Sequence, residues 1–417
     1  MLFENCDRRA LAATLCTLMA LVGCSNMEQP RGGSVAQNAT RSCTDGTTTI
    51  SGDFEGAGFA RCEVLERGHF RLTITPEDSK VTNCSAWYAF QANASQSQQV
   101  SIDLNYSSCG HRYRPKIRLP ASDWQALSGE NVGLNFTRGR TLENGKPAAD
   151  ATLRLALPAG KSQVAAQALI LPDDNAAWLD SISRSPTVTR DILGKSREGR
   201  VIERIAIREV GVTPTRQVVL LGRQHPPETT GAIALQAFAE RLLEEDKLTS
   251  LYRSRYSTIV VPLLNPDGVV NGHWRHNMGK MDLNRDWGAF SQPETRLMRD
   301  LLTSMSKDST QRLRLFLDFH STHYDTIYTL TDNQVTDPAG FTAKWIAAYQ
   351  ALIPENKLRI EPGHNRNLPT SKTWVYDNFR VPTATYEIGD DTDLALIRRQ
   401  ARAAAEAMMS TLVTNDD

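Results

Sequence analysis

Residues 216–246, RQVVLLGRQHPPETTGAIALQAFAERLLEED, carry the pattern that decides the fold. The apolar run VVLLG is typical of a strand buried on both faces, and the stretch from Thr230 has the apolar spacing of an amphipathic helix. Between them, His225 and Glu228 stand three residues apart across a turn. An imidazole nitrogen and a carboxylate oxygen at this spacing can face one metal ion. The segment therefore predicts a strand–turn–helix unit that carries metal ligands.

The alternation of strands and helices continues towards the C terminus. The apolar runs STIVVPLL, RLRLFLDF and TATYEI alternate with helical patterns such as PETRLMRDLLTSM and AGFTAKWIAAYQALI. This alternation predicts an α/β domain at 172–417, with a largely parallel central sheet.

Residues 46–171 have a different pattern. Short β-rich runs such as HFRLTIT, QQVSIDLNY and ATLRLALP are separated by clusters of Gly, Pro, Asn, Asp and Ser. Strands at this spacing predict an antiparallel β-sandwich domain.

Four cysteines lie in or just before this predicted domain: Cys43, Cys62, Cys84 and Cys109. In an oxidising compartment they predict two disulfides with three pairings open, and a zinc site made of all four cysteines is the alternative.

The N terminus has the features of an export signal. Arg8 and Arg9 precede the apolar stretch 10–22, which is too short to cross a bilayer. The stretch ends in Leu-Val-Gly-Cys24, which resembles the lipobox of bacterial lipoproteins, and a plain signal peptide is the alternative. The resemblance implies a signal peptide at 1–23, lipidation of Cys24, a flexible tether at 24–45 and membrane attachment through the lipid. Because Ser25 stands where Asp marks inner-membrane retention, we expect the periplasmic side of the outer membrane.

The charge balance limits the partners. Among 417 residues, 47 Lys and Arg match 47 Asp and Glu. Nucleic-acid binding requires a surplus of cations that neutralise phosphates, so we expect no nucleic-acid partner.

Two further strand ends carry chemistry. His320 closes the apolar run RLRLFLDF, and Glu387 closes TATYE. Together with His225 and Glu228, His320 completes a set of two His and one Glu, which leaves the fourth tetrahedral position of a zinc ion open for water. Glu387 is placed to take a proton from that water.

The segment between them, NPDGVVNGHWRHNMGKMDLNRDW at 265–287, groups Arg275, Asn284 and Arg285. An Arg with an Asn can hold a carboxylate through charge-assisted hydrogen bonds. A second Arg near a metal can stabilise an oxyanion. The segment therefore predicts the recognition of a substrate carboxylate and carbonyl.

With these motifs, the second half of the chain resembles the M14 (carboxypeptidase A-like) zinc carboxypeptidases. The matches come in the family's order: HxxE at 225–228, NPDG at 265–268, DLNR at 282–285, FHS at 319–321 and YE at 386–387. The run 260–275, VVPLLNPDGVVNGHWR, most resembles the branch of cytosolic carboxypeptidases and their bacterial relatives. Members of that branch carry a β-sandwich before the catalytic domain.

The resemblance implies a fold and a catalytic set. The expected fold is a carboxypeptidase-type α/β domain with a mixed central sheet covered by helices, after an all-β sandwich. His225, Glu228 and His320 would hold one Zn2+. Glu387 would be the general base and acid, and Arg275 would polarise the scissile carbonyl.

The same resemblance implies substrate-binding residues. Asn284 and Arg285 would receive the terminal carboxylate, and Ser321 would contact substrate through its backbone. Lys372 stands where the family floors its side-chain pocket, and a cation there favours an acidic side chain.

The expected activity is zinc-dependent hydrolysis of the C-terminal bond of peptides with a free carboxylate. One departure leaves alternatives open: no Tyr lies between Asn365 and Thr373, where the classical enzymes carry a substrate-binding Tyr. An amidase or deacylase on the same fold, acting on cell-wall stem peptides or N-acyl amino acids, is the alternative. A non-catalytic binding lipoprotein is the alternative of another class, and its signature would be a broken ligand set or a missing base.

Overall fold

The computed structural model describes residues 41–79, 84–108, 110–141, 147–307 and 310–415. The predicted signal peptide, Cys24 and most of the predicted tether lie outside these residues. Among the helices of the described ranges, none is both long and apolar enough to cross a membrane.

The first part of the described chain, residues 41–165, is rich in strands, and we call it the β-region. It also contains a short 3-10 helix, Gly129–Asn131. In chain order the strands are β1 (Ser42–Thr44), β2 (Thr48–Ser51), β3 (Arg61–Glu66), β4 (His69–Ile74), β5 (Ala89–Ala94), β6 (Gln98–Tyr106), β7 (Lys116–Arg118), β8 (Gln125–Ala126), β9 (Val132–Thr141), β10 (Pro147–Leu157) and β11 (Gly160–Ala165).

These strands form two sheets, ordered β1-β2-β5-β11-β7-β8 and β3-β4-β6-β10-β9. Side chains that alternate along the strands form the core of this region. In β6, Val100, Ile102 and Leu104 are buried, whereas the residues between them are half-buried. Two expectations need correction. The pair β4–β6 is parallel rather than antiparallel. In addition, β1 lies inside the segment predicted as a tether, because its three residues pair with β2.

A disulfide joins Cys43 of β1 to Cys62 of β3 and so links the two sheets. Cys84 is also disulfide-bonded. The prediction of disulfides is therefore confirmed for these residues, and the four-cysteine zinc site is excluded. Cys109 lies outside the described residues.

Residues 172–415 form the α/β region. It also contains a short 3-10 helix, Leu283–Arg285. In chain order the elements are α1 (Pro172–Ile182), β12 (Val188–Lys195), β13 (Val201–Ile207), β14 (Arg216–Gly222), α2 (Thr229–Arg241), α3 (Lys247–Arg255), β15 (Tyr256–Val261), α4 (Pro266–Val270), α5 (Pro293–Lys307), β16 (Arg312–Thr322), β17 (Thr326–Thr329), α6 (Phe341–Leu352), β18 (Ile360–Pro362), α7 (Ser371–Phe379), β19 (Thr383–Gly389) and α8 (Leu394–Asn415).

The central sheet of this region has the order β12-β13-β15-β14-β16-β19-β17-β18. Strands β15, β14, β16 and β19 are parallel, and antiparallel pairs flank them, so the sheet is mixed as expected. One core cluster joins the sheet to α2, α6 and α8, and another joins its other face to α5 and α7. The carboxyl ends of β14, β16 and β19 meet at one edge, which is where open α/β sheets place their sites.

Candidate active site

The HxxE turn connects β14 to α2 at this edge. The NPDG loop supports it, because the side-chain amide of Asn265 donates to the carbonyl of Gln224 at 3.1 Å. Gly268 of the same loop packs against Pro226, and a Cβ at position 268 would lie 2.7 Å from Cγ of Pro226. The two motifs are thus packed together, and this contact fixes the turn that carries His225 and Glu228.

His320 reaches the same point from the end of β16. A Cβ at Gly231 would lie 2.4 Å from the carbonyl oxygen of His320, so only glycine lets the start of α2 approach this closely. Nδ1 of His225 and Nδ1 of His320 lie 2.8 and 2.7 Å from the two carboxylate oxygens of Glu228. The ligand atoms of the three residues all lie within 4.8 Å of one another. The sequence-predicted ligands are therefore brought together.

The chemistry of these three side chains fits a zinc ion. Burial opposes the ionisation of Glu228, but the two adjacent imidazoles hold the pKa of its carboxyl well below the usual range. Two imidazole nitrogens and one carboxylate are the donor set of catalytic zinc sites. His225, Glu228 and His320 would hold the ion.

Two further carboxylates orient the imidazoles. Nε2 of His225 donates to Asp282 at 2.9 Å, and Nε2 of His320 lies 2.9 Å from Asp318. These contacts turn each Nδ1 towards Glu228. A carboxylate on the far nitrogen of a ligand His fixes the ring and raises its basicity.

Arg275 is bound to the same Asp282. Its Nε and Nη2 lie 2.8 and 2.7 Å from the second carboxylate oxygen. The β-region also holds this segment, because Glu77 accepts hydrogen bonds from the backbone N–H groups of Arg275 and His276, both at 2.9 Å. Asp282 therefore connects a predicted metal ligand to a predicted substrate-binding cation.

Glu387 lies opposite His320, because β16 and β19 pair these two residues in register. Burial raises the pKa of the Glu387 carboxyl to about 7, and the nearby His320 acts in the opposite direction. A carboxyl whose pKa lies near neutrality is suited to accept and return a proton.

The predicted substrate-binding residues lie around this centre. Oδ1 of Asn284 accepts from the backbone N–H of Ser371 at 2.9 Å, which anchors the start of α7 to the site. Arg285 is half-buried, and its charge interacts with Asp282 and Glu387. Ser321 is buried, and its hydroxyl accepts from the N–H of Gly231, so its side chain supports α2.

Lys372 is 3% exposed at the start of α7. Its Nζ donates to the backbone carbonyls of Thr329 and His364, at 3.1 and 2.9 Å. Among the described residues it forms no ion pair. Burial lowers the pKa of this ammonium to about 8, and Arg366 adds to the effect. Beside it, the rings of Tyr328 and His364 stack with centroids 4.0 Å apart.

Comparison with known proteins identifies the family. The family model for zinc carboxypeptidases, Peptidase_M14, matches residues 176–410, which is more than half of the chain. The chain belongs to the M14 family. The His–Glu–His cluster lies within the matched residues.

Individual proteins are similar to this M14 chain in sequence or in fold. It is 22% identical to cytosolic carboxypeptidase 6 of Caenorhabditis elegans over 66% of its own length and 62% of the relative's, and so spans less than two thirds of that protein. A metallo-carboxypeptidase from Burkholderia cenocepacia has a similar fold, with a TM-score of 0.70 and 18% identity over 89% of this chain and 99% of the other. Another from Pseudomonas aeruginosa, in complex with (2-guanidinoethylmercapto)succinic acid, gives a TM-score of 0.68 and 18% identity over 88% and 99%.

Sequence reasoning missed two residues of this M14 site. Gln224 donates to Asp318 at 2.6 Å and accepts from Trp287 at 3.0 Å. Its position directly before the HxxE motif was a usable signal. Arg112 of the β-region binds Asp390, just past the base, and no local pattern in the sequence indicates a contact between residues so far apart.

Proposed function

We propose that the protein is a zinc metallocarboxypeptidase that removes the C-terminal residue from peptides with a free carboxylate. The observation that carries this proposal is the buried His–Glu–His cluster, with Glu387 beside His320 on the neighbouring strand. Membership of the M14 family supports it. The intact ligand set and base speak against a non-catalytic binding lipoprotein.

The chain's own groups supply the proton transfers and the binding contacts. Bound zinc supplies a Lewis acid and lowers the pKa of water at its open position. Glu387 accepts a proton from the attacking water and returns it to the leaving amine. Arg275 binds the scissile carbonyl oxygen through Nη1, because Asp282 already holds its Nε and Nη2. Arg285 receives the terminal carboxylate.

The proposed specificity is for an acidic C-terminal residue. An ammonium has three donors, and backbone carbonyls accept only two of those of Lys372. A buried cation with no carboxylate among the described residues is stabilised by an anion that enters the pocket.

The proposed location is the bacterial cell envelope, with Cys24 lipidated and the folded part in the periplasm. Two observations support this. The apolar stretch 10–22 leads directly into Leu-Val-Gly-Cys24. Disulfides such as the one between Cys43 and Cys62 form and persist in oxidising compartments. Labelling of the full chain with a lipid precursor, with Cys24→Ala as the control, tests the anchor.

The activity is tested with a pool of short peptides, each made as a free acid and as a C-terminal amide. The zinc-loaded protein without residues 1–24 is incubated with the pool, and the products are read by mass. Loss of single residues from the free acids alone, fastest for Glu and Asp, is the expected result. Equal cutting of both forms, or internal cuts, would refute terminal-carboxylate recognition by Arg285 and favour the amidase.

A further inference from the structure

A cation of the β-region reaches the candidate active site. Arg112 lies between β6 and β7, and its Nε and Nη2 bind one oxygen of Asp390 at 2.9 and 2.8 Å. Its guanidinium also packs over the ring of Tyr113, 5.0 Å from the centroid. Asp390 itself is tied to β16, because its N–H donates to the carbonyl of Thr322 at 2.7 Å. These contacts fix Arg112 beside the ends of the two strands that carry His320 and Glu387.

The charge of Arg112 acts on the centre of the site. It interacts with the carboxylates of Glu228 and Glu387. Lys372 approaches from another side, because its contacts are with β17 and the segment after β18. Arg112 instead holds the segment after β19. The two cations therefore approach the site from different elements: Lys372 lies against β17 and the segment after β18, and Arg112 lies against the segment after β19.

The direction of a bound peptide assigns the two cations different tasks. When the terminal residue occupies the pocket of Arg285 and Lys372, its scissile bond lies at Glu387. The preceding residue then extends away from that pocket, towards the segment after β19 that Arg112 holds. The Arg112 side chain is 21% exposed, and within the described residues nothing accepts a hydrogen bond from its Nη1. It is thus both reachable and able to donate.

We propose that Arg112 contacts the residue that precedes the scissile bond and favours an acidic side chain there. This proposal rests on the proposed function. The positive charge around Arg112 favours the binding of an anionic side chain, because Arg114 and Lys116 follow at alternate positions. Lys116 pairs with Asp391 at 3.3 Å. Guanidinium–carboxylate pairs are among the strongest polar contacts.

The test compares peptides that end in Glu and carry either Glu or Gln before it. We expect wild-type protein to prefer the Glu-Glu peptide in kcat/KM by at least about tenfold, which equals about 1.4 kcal/mol. Arg112→Met should abolish this preference, with a larger loss in kcat/KM for the Glu-Glu peptide than for the Gln-Glu peptide, because the lost contact concerns the acidic side chain. Arg118→Met is the matched control: it removes one cation from the same segment, but Arg118 packs over Trp124 inside the β-region.

A second variant separates recognition from folding. Arg112→Lys keeps a cation for Asp390, so we expect a wild-type melting temperature together with a preference reduced to below about threefold. Retention of the full preference in Arg112→Met or Arg112→Lys, equal loss on both peptides, or a wild type without preference would overturn the role of Arg112. A wild type that removes no residue from any free-acid peptide would instead refute the proposed function.

Discussion

Replacement of Asp282 by Asn tests how far zinc binding depends on the orientation of His225, because the three predicted zinc ligands themselves stay in place. One carboxylate oxygen of Asp282 accepts from Nε2 of His225 and from the N–H of Asn284, and the other binds Arg275 through two donors. Burial alone raises the pKa of this carboxyl, but His225 and Arg275 hold it well below the usual range, so it is anionic at neutral pH. Asn is isosteric, removes the charge and offers only one acceptor oxygen.

We expect Asp282→Asn to weaken zinc binding by about 10- to 100-fold, or about 1.4–2.7 kcal/mol, which is the usual cost of removing a carboxylate behind a ligand His. Competition with a chromophoric chelator measures the affinity. At saturating zinc, kcat/KM should still be reduced at least about tenfold, because Arg275 loses its anchor.

Asp286→Asn provides the matched control. Asp286 is 1% exposed and accepts from Ser291 and Gln292, without contact to His225 or Arg275. Its replacement should lower the melting temperature but leave zinc affinity unchanged. Equal zinc affinity in wild type and Asp282→Asn, or equal weakening in both Asn variants, would refute the reasoning.

Three further predictions concern the base, the pocket and the disulfide. Glu387→Gln should retain zinc and lose turnover, whereas His320→Ala should lose both; full activity in the first or retained zinc in the second would contradict the assigned roles. Because burial lowers the pKa of Lys372 to about 8, its charge is present below that pH and lost above it, so kcat/KM for Glu-terminated peptides should fall as pH rises through about 8. In Lys372→Met, the ratio of kcat/KM for Glu-terminated peptides to kcat/KM for Ala-terminated peptides should no longer change as pH rises through about 8. Persistence of this change would assign it to another group. Replacement of both Cys43 and Cys62 by Ser should lower the free energy of unfolding by about 3 kcal/mol in urea melts, because the bond joins residues 19 apart in the sequence and restricts the unfolded chain. An unchanged midpoint would contradict this.

Local sequence patterns predicted much of the α/β region because the elements that carry the site residues follow one another directly in the chain. Strand β14, the HxxE turn and helix α2 follow one another in a single segment, so periodicity and turn chemistry define all three. The same holds for β16 with His320 and for β19 with Glu387. The roles of these residues stay predictions, but their convergence follows from parallel strands that end at one edge.

The sequence was least informative where contacts are distant or elements are short. Helix α7 begins with Thr370 as its N-cap, but its nine residues hold too few apolar positions to show a helical period. Strands β17 and β18 have four and three residues, which is too short for a recognisable alternation. The parallel pair β4–β6 and the contact of Arg112 with Asp390 depend on how distant segments meet, which no local pattern encodes.

The contact of Glu77 with the backbone of Arg275 and His276 limits how the gene can be divided. An isolated fragment of residues 172–417 would contain every predicted zinc ligand, yet it would leave those two N–H groups without their acceptor. Grafting this fragment onto another carrier would therefore transfer the metal site without the fixed position of Arg275. Directed evolution or chimera design on this scaffold has to treat the loop around Glu77 as part of the enzyme rather than as an accessory.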